Sequence, residues 1–253
     1  MLADPTGEEP KTNDSSTLTF WDHLEELRRR LISALLFIAA GFCAVYFFVP
    51  ILQDFLIGSF FPGNDTPLAL LAPTEGFVVR LKLALVGGFF VSSPAVFYHF
   101  WRFVAPGLLP REKSFIIPVV ITSTASFITG AVFAFFVLPY ATRFFLSFGN
   151  EYIQNTWSFG SYVDFIVRLM IAFGVVFEMP LVIYFLARLG IVTPDFLRAK
   201  RRYAILIILV IAAVVSPPDI FTMIVLSVPM IILYEVSIFI ASFTYQRHQR
   251  ENP

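Results

Sequence analysis

Long apolar runs alternate with short polar stretches along this chain, and the lengths of the runs carry most of the information. A helix needs about 20 apolar residues, each rising roughly 1.5 Å, to cross a hydrocarbon core of about 30 Å. Residues 31–49, 78–101, 115–140, 162–189 and 220–243 meet that length. Tyr203–Val215 is apolar too, but covers only about 20 Å as a helix. A span over 200–215 therefore begins among Arg198–Arg202 or sits where the bilayer is thinned. The pattern predicts an all-α polytopic membrane protein with six transmembrane helices. Prolines stand inside the spans at Pro94, Pro118, Pro139, Pro180 and Pro229. Each removes an intrahelical hydrogen bond and tends to kink its helix. Kinked spans side by side would form a curved, concave wall, although each proline also fits ordinary local packing. Residues 1–18 read as a disordered polar terminus, 19–243 as one membrane domain and 244–253 as a short tail.

Composition agrees with lipid as the solvent. Of 253 residues, 57% are hydrophobic and only 14% charged, against roughly a quarter charged in soluble domains. Thirty-one Phe would be hard to bury in one soluble core. The formal net charge is zero, so nothing points to nucleic acid or another polyanion. Placement of the charges says more. Lys11, Arg28–Arg30, Arg102, Arg111, Lys113, Arg188, Arg198, Lys200–Arg202, Arg247 and Arg250 flank the spans on one side. Arg143 lies on the other, with Arg80 and Lys82 at helix edges. The basic side faces the cytoplasm, which places both termini there and agrees with an even helix count. The first thirty residues hold no apolar h-region, so the chain reads as a mature multi-pass protein of a bacterial inner membrane. Residues 50–77 and 141–161, rich in Phe and Leu with Tyr152 and Trp157, read as interfacial caps on the outer side. Ser216-Pro-Pro-Asp219 reads as a tight turn between the last two spans.

Several chemistries are excluded. Cys43 is the single cysteine, and His23, His99 and His248 are scattered, so no metal site is expected. There is no HExxH, no GxSxG elbow and no P-loop; no enzyme activity and no cofactor are expected.

Candidate chemistry lies in the charges at the membrane surface and in the few inside the spans. Thr19-Phe-Trp-Asp-His-Leu-Glu-Glu-Leu-Arg-Arg-Arg30 reads as a helix start, with Thr19 and Asp22 fitting a capping box. Phe20, Leu24, Leu27 and Leu31 share one face, and Glu25 and Glu26 stand four residues before Arg29 and Arg30, the spacing of ordinary helix ion pairs. A charged side chain at the bilayer centre costs about 2.5–3.5 kcal/mol on insertion scales, so Glu178 faces protein or water. It fits a neutral structural residue, a proton relay, or one wall of a polar pocket for a partner helix. Glu235 reads as a second buried carboxylate that shares such a site. Asp219 caps the last span or has a role at the outer turn. Asp164 and Arg168 are spaced to pair. Thr122, Ser123, Thr124, Ser126 and Thr129 read as interhelical hydrogen-bond donors.

His23-Leu-Glu-Glu-Leu-Arg-Arg-Arg30 resembles the HLxELRxR signature of the TatC family, subunits of the twin-arginine protein translocase. Phe103-Val-Ala-Pro-Gly-Leu108 followed by Arg111-Glu112-Lys113 resembles its first cytoplasmic loop, and Ala172-Phe-Gly-Val-Val-Phe-Glu-Met-Pro180 its fourth-helix motif. Ser216-Pro-Pro-Asp219, Pro229-Met230 and Glu235 match later landmarks. The likeness runs from about residue 19 to 243. It departs in the first outer loop, where Gly58-Ser59 stands near the family's Pro-Leu pair. The resemblance implies a receptor that binds Arg-Arg signal peptides of folded precursors through Glu26, Glu112, Phe103 and Arg28. It further implies that Glu178, with Glu235, meets the transmembrane helix of TatA-type or TatB-type subunits in a homo-oligomeric TatBC-type complex driven by proton-motive force. The residues alone also admit a proton-coupled small-solute carrier using Glu178 and Glu235, although no internal repeat supports one.

Overall fold

The computed structural model describes residues 20–60, 68–104, 116–148, 157–216 and 220–251. Thr19, Glu112, Asp219 and the expected disordered terminus lie outside the described residues. The described chain is helical apart from turns and two short strands. Helix α1 (Phe20–Tyr46) leads from the Arg-rich end to the opposite end, where α2 (Val49–Phe60) and β1 (Leu68–Ala69) belong to a cap. Then α3 (Glu75–Val104) returns and α4 (Ile116–Leu146) goes back to the cap. After β2 (Trp157–Ser158), α5 (Phe159–Phe177) and α6 (Met179–Arg188) descend, α7 (Pro194–Ala199) turns, α8 (Arg201–Val215) rises and α9 (Ile220–Glu251) descends.

Five helical stretches are long and apolar enough to cross a membrane: His23–Tyr46, Glu75–Val104, Ile116–Leu146, Phe159–Arg188 and Thr222–Tyr245. The remaining expected span is α8, whose 15 residues cover about 22 Å. It is bounded by Lys200 at its N-cap and Ser216 at its C-cap. Large apolar side chains lie on the outside: Phe136, Val214 and Phe239 are each about 70% exposed, as side chains solvated by lipid would be.

Prolines act differently according to position. Pro94, Pro139 and Pro229 are accommodated inside α3, α4 and α9, whereas Pro180 sits in the first turn of α6 and separates it from α5 at Glu178. There the missing N–H costs nothing, because the first turn of a helix has no acceptor for it.

Packing centres on α5, whose Tyr162, Ile166, Leu169 and Phe173 are buried, with α4 and α3 as its main neighbours and α8 and α9 touching it less. Phe127 of α4 stacks on Phe90 and is edged by Phe89 and Phe97 of α3. Helix α1 packs along α3 alone to any great extent, and only glycine permits the approach. A Cβ on Gly41 would come within 2.5 Å of the Gly88 carbonyl oxygen, and one on Gly88 would strike the backbone of Gly41 and Phe42. Gly88→Leu is expected to push α1 off α3 at a cost of about 3 kcal/mol. The midpoint of thermal unfolding in detergent would fall accordingly; an unchanged midpoint would show that the seam tolerates side chains.

The cap is tied by one carboxylate. Glu75 Oε2 accepts from the backbone N–H of Leu71 and Ala72 at 2.6 and 3.2 Å. Its Oε1 accepts from the Ser158 hydroxyl and, at 2.6 Å, from the Gly160 N–H. Beside it, β1 and β2 pair in parallel, Leu68 opposite Trp157. Two loops far apart in sequence are therefore joined, consistent with caps rather than free linkers.

Two sequence expectations are corrected. Asp164 does not pair with Arg168; its Oδ1 accepts from Lys82 Nζ of α3 at 2.6 Å. The ion pair crosses between helices because α3 packs against α5 there, leaving Arg168 exposed. Of the α4 hydroxyls, Thr122, Thr124 and Thr129 bond the carbonyls of Pro118, Val120 and Ala125 in their own helix. Where no facing helix offers a polar partner, the i−4 carbonyl is the available acceptor.

Candidate functional site

Glu26 lies on the second turn of α1, facing the last turns of α3. Glycine contact lower in the seam sets the spacing of the two helices, and their Arg-rich ends enclose a cleft of 490 Å³ lined by Glu25, Glu26, Arg29, Arg30, Ser33, His99 and Arg102. Arg30 approaches Glu26 Oε1 with two nitrogens, Nη2 at 2.9 Å and Nε at 3.3 Å. The pair is well shielded, with side-chain exposures of 19% for Arg30 and 27% for Glu26. Across the seam, Arg102 donates to the Tyr98 hydroxyl at 2.6 Å and lies over its ring. The His99 Nδ1 is buried without a hydrogen-bond partner among the described residues, beside Phe37 of α1.

Phe103 is held by the same seam. Its ring stacks on His23 with centroids 4.5 Å apart and planes 21° from parallel, so the aromatic side chain sits one helical turn from Glu26. The structure thus sets Phe103 at the same helix seam as Glu26, against His23 and outside the lining of the cleft itself. Arg28 is exposed and does not line the cleft.

Deeper in the same helices lies a second polar group. Trp101, two residues before Phe103, donates its indole N–H to Ser123 Oγ of α4 at 2.7 Å. Because the Ser123 oxygen accepts there, its own proton is free for another acceptor, and the Glu178 carboxyl is a neighbouring candidate. Glu178 ends α5 and begins α6, and its Oε1 is buried without a partner among the described residues. Trp101 is fixed from the far side by Phe185 of α6, centroids 4.4 Å apart. An indole–hydroxyl bond therefore joins α3 to α4, with the Glu178 carboxyl of the α5–α6 break nearby as an acceptor with spare capacity.

Glu235 departs from expectation. It is about half exposed, not buried, and accepts from Arg201 Nη2 at 2.7 Å. Arg201 heads α8, and α8 packs against α9, so a guanidinium reaches the carboxylate across that contact. Nearby, the Tyr234 hydroxyl donates to the Leu197 carbonyl at 2.8 Å and ties α7 to α9. Among the described residues, Glu178 and Glu235 share no hydrogen-bond partner.

Sequence reasoning missed Trp101 and Ser123 as a pair and His99 as part of the cleft. A tryptophan inside a span was the available signal, since its indole N–H needs an acceptor when buried.

Comparisons with known proteins bear on the whole arrangement. Residues 22–229 match the family model described as Sec-independent protein translocase protein (TatC). The chain is 41% identical to the Sec-independent protein translocase protein TatC of Desulforapulum autotrophicum over 222 residues, 87% of this chain and 82% of that one. It is 38% identical to that of Carboxydothermus hydrogenoformans, covering 91% of this chain and 95% of that one. A crystal structure of the twin arginine translocase receptor TatC superposes with a TM-score of 0.79 at 37% identity, covering 88% of this chain and 99% of that one. A second, in DDM, gives 0.81. With its long apolar helices, the seam carrying Glu26 and the broken helix carrying Glu178, the chain is a multi-pass membrane protein that belongs to the TatC family of Sec-independent protein translocase proteins.

Proposed function

We propose that this chain is the signal receptor and core subunit of a twin-arginine export system in a bacterial inner membrane. It spans six times, with both termini and the Glu26 cleft on the cytoplasmic side. One observation carries the reading: Phe103 of α3 stacks on His23 of α1, one helical turn from Glu26, which lines an open cleft at the same seam. A carboxylate there can receive a guanidinium through two parallel hydrogen bonds, which lysine cannot reproduce. The aromatic wall excludes water and strengthens the pair. Glu112, in the segment following α3, supplies the second carboxylate for the second arginine. Glu178 receives a polar group from the single helix of a TatA-type or TatB-type subunit, because its free oxygen is the acceptor such a helix would need.

The test places a photoreactive phenylalanine analogue at position 103 of the full chain in membranes. An Arg-Arg signal peptide should be labelled, and its Lys-Lys counterpart at least about tenfold less, the loss of one fork being worth about 1.4 kcal/mol. Equal labelling of both would remove the recognition claim.

A further inference from the structure

The Glu26 cleft poses an electrostatic problem. Its described lining holds Arg29, Arg30 and Arg102 against Glu25 and Glu26, yet the ligand proposed above is itself dicationic. Moreover, the carboxylate expected to grip that ligand is already engaged. Arg30 presents two nitrogens to Glu26 Oε1, one of the two oxygens that an incoming guanidinium fork would need. At i and i+4 on one helix the two side chains meet without any backbone change, so the contact forms and opens on the timescale of a rotamer.

We propose that Arg30 is a resident competitor for Glu26, and that it sets the affinity threshold a signal sequence must exceed; the inference rests on the recognition role proposed above. In the resting receptor the Arg30 guanidinium occupies the carboxylate. A signal arginine must displace it, exchanging one guanidinium–carboxylate pair for another. The exchange itself gains little, so net binding comes from what the peptide adds: the second arginine, and apolar contact at Phe103 and His23. Cations without those additions fail to displace Arg30, which keeps stray basic peptides off the receptor. Quantitatively, a site free for only a fraction of the time binds every ligand more weakly by that fraction.

That relation gives the competitor a signature. Removing it should tighten all ligands by the same factor and leave their ratio alone. The experiment measures binding of fluorescent signal peptides, Arg-Arg and Lys-Arg, to the full chain in nanodiscs. Arg30→Gln should tighten both by about three- to tenfold, with their ratio constant within about twofold. Arg30→Lys keeps the charge but loses the fork, and should tighten both by a smaller factor. Arg29→Gln removes an equal charge from the same lining without freeing Glu26, and should give less than Arg30→Gln. Weaker binding in Arg30→Gln, with folding confirmed by an unchanged melting midpoint, would overturn the proposal in favour of a supporting role. A changed Arg-Arg to Lys-Arg ratio would overturn it in favour of direct ligand contact. Equal tightening in Arg29→Gln would overturn it in favour of a general field effect. If the unmodified chain binds neither peptide, the recognition reading fails first, an outcome distinct from these three.

Discussion

Glu26→Ala is expected to abolish capture of an Arg-Arg signal peptide while the protein still inserts and folds. Truncating one partner of a desolvated, hydrogen-bonded charge pair costs about 2–5 kcal/mol, so affinity should fall by about 30-fold or more. Two effects act together. The acceptor for the signal guanidinium is lost, and Arg30, deprived of its partner, becomes an unpaired cation facing a cationic ligand. Stability should fall only modestly: an exposed i, i+4 pair contributes about 0.3–0.5 kcal/mol, and the partial shielding of Arg30 adds to that. Crosslinking yield from position 103 and the melting midpoint separate the two outcomes. Undiminished crosslinking in a folded Glu26→Ala protein would show that the carboxylate is not the docking point.

Glu178→Ala should have the opposite profile: signal binding survives and export fails, by about 100-fold if a coupling of nearly 3 kcal/mol passes through this group. Alanine removes an oxygen that is buried without a partner, so folding loses little there. What disappears is the acceptor proposed for a partner helix. Ser123→Ala should give an intermediate loss, since Ser123 neighbours the carboxyl without being its destination, and its removal also leaves the Trp101 indole N–H unpaired. Export of a folded precursor by membrane vesicles and co-purification of a single-span subunit are the readouts. Loss of signal binding together with export would point to a folding defect. Proton flux through liposomes holding this protein alone would instead revive the carrier alternative.

Much of this was legible in the residues. Length and hydropathy located the long spans, because the bilayer imposes one crossing distance on every helix. The acidic residue of the first helix and the aromatic residue after the second span could be named from their motifs. Contacts between distant segments could not. Asp164 was matched with Arg168 because helical spacing is visible in a sequence, whereas the approach of Lys82 across α3 and α5 depends on which faces pack. Glu235 was read as buried because its neighbours are apolar; its pairing with Arg201 follows from where α8 begins, a boundary that hydropathy blurs. The α4 hydroxyls were assigned to neighbouring helices although three of them bond within their own helix, since composition counts donors but does not orient them.

The Glu75 knot at the cap constrains how the chain is finished during synthesis. Two of its donors, Leu71 and Ala72, leave the ribosome alongside it, but Gly160 follows 85 residues later. At about 5–20 residues per second, roughly 4–17 s separate the carboxylate from its last partner. In that interval the first hairpin stands in the bilayer with its far loop unfastened. The strap therefore closes only after α4 and the head of α5 have been made, while α6–α9 are still to come.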